Sequence, residues 1–90
     1  MKKINSNDLK PNYNIIDIRN GNLYASGHIY NAKNIPMDLL VELHNKYLNK
    51  NETYYIYCNS GYKSQKCVKL LEMLGYDVVD VLGGYETFNK

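Results

Sequence analysis

Cys58-Asn59-Ser60-Gly61-Tyr62-Lys63-Ser64 is the segment of this 90-residue chain whose residue types and spacing are suited to chemistry. A cysteine thiolate is an intrinsically strong nucleophile. The residues before it, Tyr54-Tyr55-Ile56-Tyr57, read as a strand by their aromatic and β-branched content. The residues after it lead into a helix that begins near Ser64. A tight loop between a strand end and a helix N-terminus turns backbone N–H groups inward, and the helix dipole adds partial positive charge there. An anion at the centre of such a loop is stabilised, and here the natural anion is the Cys58 thiolate. Gly61 lets the backbone turn closely around the sulfur, and Lys63 supplies a nearby cation.

The other reactive side chains read differently. Cys67 falls on the apolar face of the following helix with Leu70, Leu71 and Leu74, which predicts core packing and an inert thiol. His28, between Gly27 and Ile29, reads as a structural hydrogen-bonding residue. His44 reads as a packed or partly exposed side chain. Asp17 and Arg19, at a strand end on the same rim as Cys58, are expected to hold loops in place.

The two cysteines are too few for a disulfide scaffold or a four-thiolate zinc site. Eleven basic residues against nine acidic ones give +2, spread without a block, so neither nucleic acid nor an anionic membrane is an expected partner. No apolar run approaches the ~20 residues of a membrane span, and the polar start Met1–Asn7 lacks the apolar stretch of a secretory signal. The expectation is a soluble, cytoplasmic protein whose thiols are kept reduced.

Several elements must position the loop. Ile15–Ile18 is a β-branched run closed by the turn Arg19-Asn20-Gly21-Asn22, and Ala32–Ile35 is a shorter strand before Pro36. From Met37 the apolar residues Leu40, Val41, Tyr47 and Leu48 fall at helical spacing, predicting one helix of about three turns. The helix after Cys58 is stopped by Gly75, Asp77–Leu82 is a further strand, and Tyr85–Phe88 can form a last helical turn. Strands alternating with such helices predict a parallel sheet covered on both faces, with ligands beyond the carboxyl ends of the strands. The loops after Ile18, Tyr57 and Leu82 are therefore the ones expected to carry function.

Asp17-Ile18-Arg19, Tyr24, Gly27-His28-Ile29, Ala32, Asn34-Ile35-Pro36, the loop from Cys58 through Gly61 and Lys63 to Ser64, and Gly83-Gly84 with Phe88 follow one another along the chain. In order and spacing they resemble the single-domain members of the rhodanese family of sulfurtransferases, and the resemblance covers nearly the whole chain. It implies an α/β, three-layer rhodanese-like fold over residues 1–90, with a mostly parallel central sheet flanked by helices on both faces. It also implies that Cys58 takes a sulfane sulfur from a donor such as thiosulfate or a persulfide, holds it as a persulfide, and passes it to cyanide or a thiol. A protein acceptor fits the same role. The amides from Asn59 through Ser60, Gly61, Tyr62 and Lys63 to Ser64 would hold the terminal sulfur, with Asp17, Arg19 and His28 in support and no metal or organic cofactor required.

The departures carry information. Asn59 and Lys63 stand where the family often has arginines, so the two-pronged grip on an oxyanion is reduced to one charge and weak thiosulfate binding is expected. Leu23 stands where the family commonly has a glutamate that pairs with the arginine at Arg19, and Asn31 replaces a glycine. Two other readings compete: a non-enzymatic rhodanese-like module that carries, senses or binds persulfide, and a cysteine-dependent phosphatase. The phosphatase loop places an arginine at the sixth position after the cysteine. Here that position is Ser64.

Overall fold

A computed structural model describes residues 1–88. Its five strands are β1 (Lys2–Asn5), β2 (Asn14–Asp17), β3 (Lys33–Asn34), β4 (Thr53–Tyr57) and β5 (Asp77–Leu82). All pair in parallel, in the order β1-β5-β4-β2-β3. The helices are α1 (Gly21–Ser26), α2 (Met37–Glu42), α3 (His44–Tyr47), α4 (Tyr62–Met73) and α5 (Gly84–Phe88).

Strand alternation divides the core into two layers. Ile16, Tyr54, Ile56 and Val78 pack with Leu40, Cys67, Val68 and Leu71 under α2 and α4. Ile15, Tyr57 and Val81 point to the other face, where Tyr24 of α1 and Tyr85 of α5 cover them. The expected three-layer parallel architecture is therefore the one observed.

Four local features differ from the sequence expectations, each for a physical reason. β1 is a short, polar edge strand whose residues carry no apolar period, yet Lys2–Asn5 pairs in register with Val79–Leu82. The expected turn after β2 winds into α1, because Asn20 caps it: its Oδ1 accepts from Leu23 N at 3.0 Å. The single helix expected from Met37 is broken at Leu43, whose ψ of 35° leaves the helical region and separates α2 from α3. α4 begins at Tyr62, two residues before Ser64, because Gly61 enters it from a left-handed φ of 97°.

The end of α4 follows the expectation for Gly75 closely. Gly75 N donates to Glu72 O at 3.0 Å and Tyr76 N to Leu71 O at 3.1 Å, the paired bonds of a Schellman motif, with Gly75 at a φ of 97°. Asn31 adopts a φ of 69°, which asparagine tolerates better than other residues with a side chain.

Candidate active site

Parallel pairing places the carboxyl ends of β2 and β4 side by side. Asp17 lies opposite Tyr57 in register, and Ile18 N donates to Tyr57 O at 3.0 Å. The two chains then part, one into Arg19-Asn20 and the other into Cys58-Asn59-Ser60. Met37 N donates to Ile18 O at 3.1 Å, which brings the start of α2 to the same rim. Between these segments opens a cleft of about 650 Å³, lined by Arg19, Leu23, Met37, Cys58, Ser60 and Lys63 among others. The carboxyl-end placement is as expected, but the wall from Pro36 to Asp38 had no signal in the sequence. The loop after Leu82 does not line this cleft and supports it from behind.

Cys58 sits at the cleft floor, 4% exposed. Its Sγ accepts hydrogen bonds from Gly61 N at 3.1 Å and from Ser64 N at 3.3 Å. Both donors belong to the turn that opens α4, and the helix dipole reinforces them. Tyr62 and Lys63 occupy the first turn ahead of any intrahelical acceptor, so their amides add donors at the same helix end.

The loop is held from outside by α5. Tyr85 N donates to Cys58 O at 2.9 Å and Glu86 N to Asn59 O at 3.0 Å. With its carbonyls tied outward in this way, the loop is free to turn amides toward the sulfur. Gly84 makes that docking possible: at a φ of 62°, a Cβ there would collide with the carbonyl oxygen of Cys58 and lie 2.7 Å from that of Asn59.

Ser64 and Asp80 form a second support. The Ser64 hydroxyl lies 2.6 Å from Asp80 Oδ1 and 3.2 Å from Gly61 O, and both side chains are fully buried. Burial pushes the Asp80 carboxyl above the usual carboxylate range, against the opposing pull of Ser64 and Lys3. Its Oδ2 has no hydrogen-bond partner among the described residues. Sequence reading missed Asp80, because in Asp77-Val78-Val79-Asp80-Val81-Leu82 it looks like one polar residue of a strand.

Asp17 and Arg19 are tied to one another. Arg19 Nη2 lies 2.7 Å from Asp17 Oδ2 and Nε 3.0 Å from Oδ1, with Nη2 also donating to Gly27 O at 2.6 Å. Tyr57 OH completes the network, donating to Asp17 Oδ2 at 2.7 Å while accepting from Ile29 N at 3.0 Å. The hydrogen bonds to Asp17 raise the Arg19 guanidinium further, and burial pushes the Tyr57 phenol up. The carboxylate that pairs with Arg19 is thus Asp17 of the same motif, with Leu23 where the family commonly has a glutamate. The guanidinium also lies over the Tyr85 ring, 4.4 Å from its centroid. Its charge is spent inside the protein even though Arg19 reaches the cleft wall.

The remaining sites separate clearly. Asn59, Ser60, Tyr62 and Lys63 line the cleft, while Gly61 and Ser64 are buried behind it. His28 lies outside the cleft: it is exposed, stacked on Tyr24 with centroids 3.7 Å apart, and its Nδ1 is 2.8 Å from Tyr24 O. Cys67 is fully buried, and burial followed by the neighbouring Cys58 pushes its thiol up to about 12. His44 pairs through Nδ1 with Tyr76 OH at 2.7 Å. Among the described residues, no group of three or more His, Cys, Asp or Glu side chains is gathered to hold a metal ion, and no helix is long and apolar enough to cross a membrane.

The family model described as "Rhodanese-like domain" matches residues 1–90. The chain belongs to the rhodanese-like family. Among solved structures, this rhodanese-like chain is similar to the rhodanese-like domain protein from Staphylococcus aureus, at 42% identity and a TM-score of 0.81, covering 93% of this chain and 87% of that one. Among curated proteins, it is 34% identical over 70 residues to the thiosulfate sulfurtransferase PspE of Escherichia coli, covering 77% of this chain and 67% of that protein. It is also 32% identical over 77 residues to the adenylyltransferase and sulfurtransferase uba4 of Ogataea parapolymorpha, covering 84% of this chain. That match spans only 20% of the yeast protein's length.

Proposed function

We propose that this rhodanese-like unit is a sulfurtransferase that moves a sulfane sulfur from a donor to a thiophilic acceptor through a persulfide on Cys58. The observation that carries this reading is the pair of amides, Gly61 N and Ser64 N, aimed at a cysteine sulfur on the floor of an open cleft. Those donors stabilise a thiolate before attack. When the thiolate attacks the outer sulfur, the donor's S–S bond breaks and its electron pair leaves with sulfite (from thiosulfate) or a thiolate (from a persulfide); the added atom extends toward the cleft and the first-turn amides of α4, so negative charge moves from one set of donors to the next. One transfer is divided into two easier displacements.

The cleft walls bear on the donor. Leu23, Pro36 and Met37 make one side apolar, while Lys63 and Lys66 stand on the α4 side. Arg19 is committed to Asp17, so no guanidinium fork is free for an oxyanion. This favours an organic persulfide donor or thiol acceptor over thiosulfate, and it leaves a thiol on a partner protein as a candidate acceptor. Action in the cytoplasm, where thiols persist, suits the chemistry.

Phosphate ester hydrolysis is less well supported. The position where a phosphatase needs arginine holds Ser64, whose hydroxyl is engaged with Asp80 and Gly61 behind the loop. A persulfide carrier that serves a partner shares the first half-reaction with the transferase and differs only in lacking turnover with small acceptors. Incubation with thiosulfate or a low-molecular-weight persulfide, then with cyanide or a small thiol, separates these readings. Sulfur release over many cycles is expected. Loading without turnover would indicate a carrier, and absence of loading with every donor would overturn the proposal.

A further inference from the structure

The Cys58 sulfur receives its hydrogen bonds from Gly61 N and Ser64 N, and both residues are tied to a single hydroxyl. Ser64 Oγ stands 3.2 Å from Gly61 O and 2.6 Å from Asp80 Oδ1. A hydroxyl has one proton to give. With Asp80 ionised, Ser64 donates to the carboxylate and Gly61 O loses that partner. With Asp80 protonated, the carboxyl donates to Ser64 Oγ and the Ser64 proton turns to Gly61 O. The two arrangements need no movement of heavy atoms.

We infer that Asp80 is a positioning residue for the cysteine loop, setting through Ser64 the hydrogen bonding and local charge of the two-amide cradle around Cys58. This deepens the proposed function without depending on which sulfur donor is used.

Asp80 has few other groups to answer to. From β1, Lys3 lies beside it in register and is the charged group that opposes its burial; from β4 its register neighbour is Ile56; from α4 it meets Ser64. No hydrogen bond from the described residues reaches Oδ2. A buried carboxylate one residue behind a thiolate disfavours that thiolate by like-charge repulsion, while the bond it accepts fixes the residues that stabilise it. The side chain therefore exerts two opposed influences, and two substitutions separate them. Asp80→Asn keeps an oxygen for Ser64 and removes the charge. Asp80→Ala removes both.

The test is the pH profile of Cys58 alkylation by iodoacetamide, measured in the absence of any sulfur donor, so that its outcome is independent of whether sulfur transfer is demonstrated. Asp80→Asn is expected to move the midpoint of the profile about one pH unit lower. Asp80→Ala, having lost the tie to Ser64 as well, is expected to lie at least about half a unit above Asp80→Asn. Coincident profiles for the two variants would show that charge alone acts, and would overturn the positioning role. If Asp80→Ala fails to fold, Ser64→Ala decides, since it keeps the Asp80 charge and cuts its tie to the cradle: a profile superimposable on that of the natural chain contradicts the inference.

Discussion

The two cysteines show how placement separates residues of identical chemistry. Cys58 directly follows a strand and meets two amides at a cleft floor, whereas Cys67 is sealed among Leu71, Val68 and the sheet. Alkylation of the native protein near pH 8 is therefore expected to modify Cys58 alone, with Cys67 reacting only after denaturation; peptide mapping reads both. The Cys67 thiol, raised from an ordinary value of 9.0 to about 12, also gives a stability signature. Folding holds its proton more tightly than the unfolded chain does, so this contribution is fully present below about pH 9 and is lost as pH rises toward about 12. Chemical denaturation of Cys67→Ala should show a flatter decline across that window than the natural chain. Lys63→Arg should raise kcat/KM for thiosulfate several-fold by restoring a two-pronged donor, roughly the gain of one charge-assisted bond, about 1 kcal/mol. No gain would mean that the missing fork is not what limits that substrate. These roles were legible in the sequence because strand end, glycine loop and apolar helix face are all local patterns. Asp80 was not, since its burial comes from α4 crossing over β5, a contact between residues distant in the chain.

Elements hold the loop as firmly as its own residues do. The amino end of α5 donates to the Cys58 and Asn59 carbonyls only because Gly84 brings no Cβ into the contact. Gly84→Ala should therefore cost roughly 2 kcal/mol or more through strain at a positive φ and lost docking bonds, and should reduce Cys58 reactivity in parallel. Thermal melting and alkylation rate check the two together: a lower Tm with a sluggish thiol is expected, and an unchanged Tm or an unaffected thiol would contradict it. Gly83-Gly84 was visible in the sequence as strand-closing punctuation, but its partner was not, because the loop it supports lies more than twenty residues earlier. The missed elements share another cause. β1 gains its strand identity from pairing with Val79–Leu82, and α1 starts with Gly21-Asn22, residues that usually mark a turn. Tertiary pairing and one asparagine cap overrode local preference there.

At the scale of the molecule, parallel pairing sends the ends of β2 and β4 to one edge, so a chain of this size can build a cleft from the loops there and the first turns of α1, α2 and α4. The same edge concentrates a buried ion pair. Asp17 and Arg19 are 0% and 7% exposed, and together with Tyr57 they tie β2, β4 and the Gly27-His28-Ile29 turn. Removing one partner leaves a buried charge uncompensated, at a cost of roughly 3–5 kcal/mol. In a domain of this length the total stability is of order 5–10 kcal/mol, so Asp17→Ala should lower Tm by roughly 15 °C or more; a shift of only a few degrees would show the pair to be dispensable. The layered parallel fold was legible from the alternation of strands and helices, and the family from the order of short motifs along the chain. What joins these levels is the persulfide proposed on Cys58. Intact-mass measurement after exposure to a sulfane donor tests it most directly: the natural chain should gain the mass of one sulfur atom, removable by reductant, and Cys58→Ser should gain none. A natural chain that stays unmodified with every donor, or an adduct that persists in Cys58→Ser, would contradict the account.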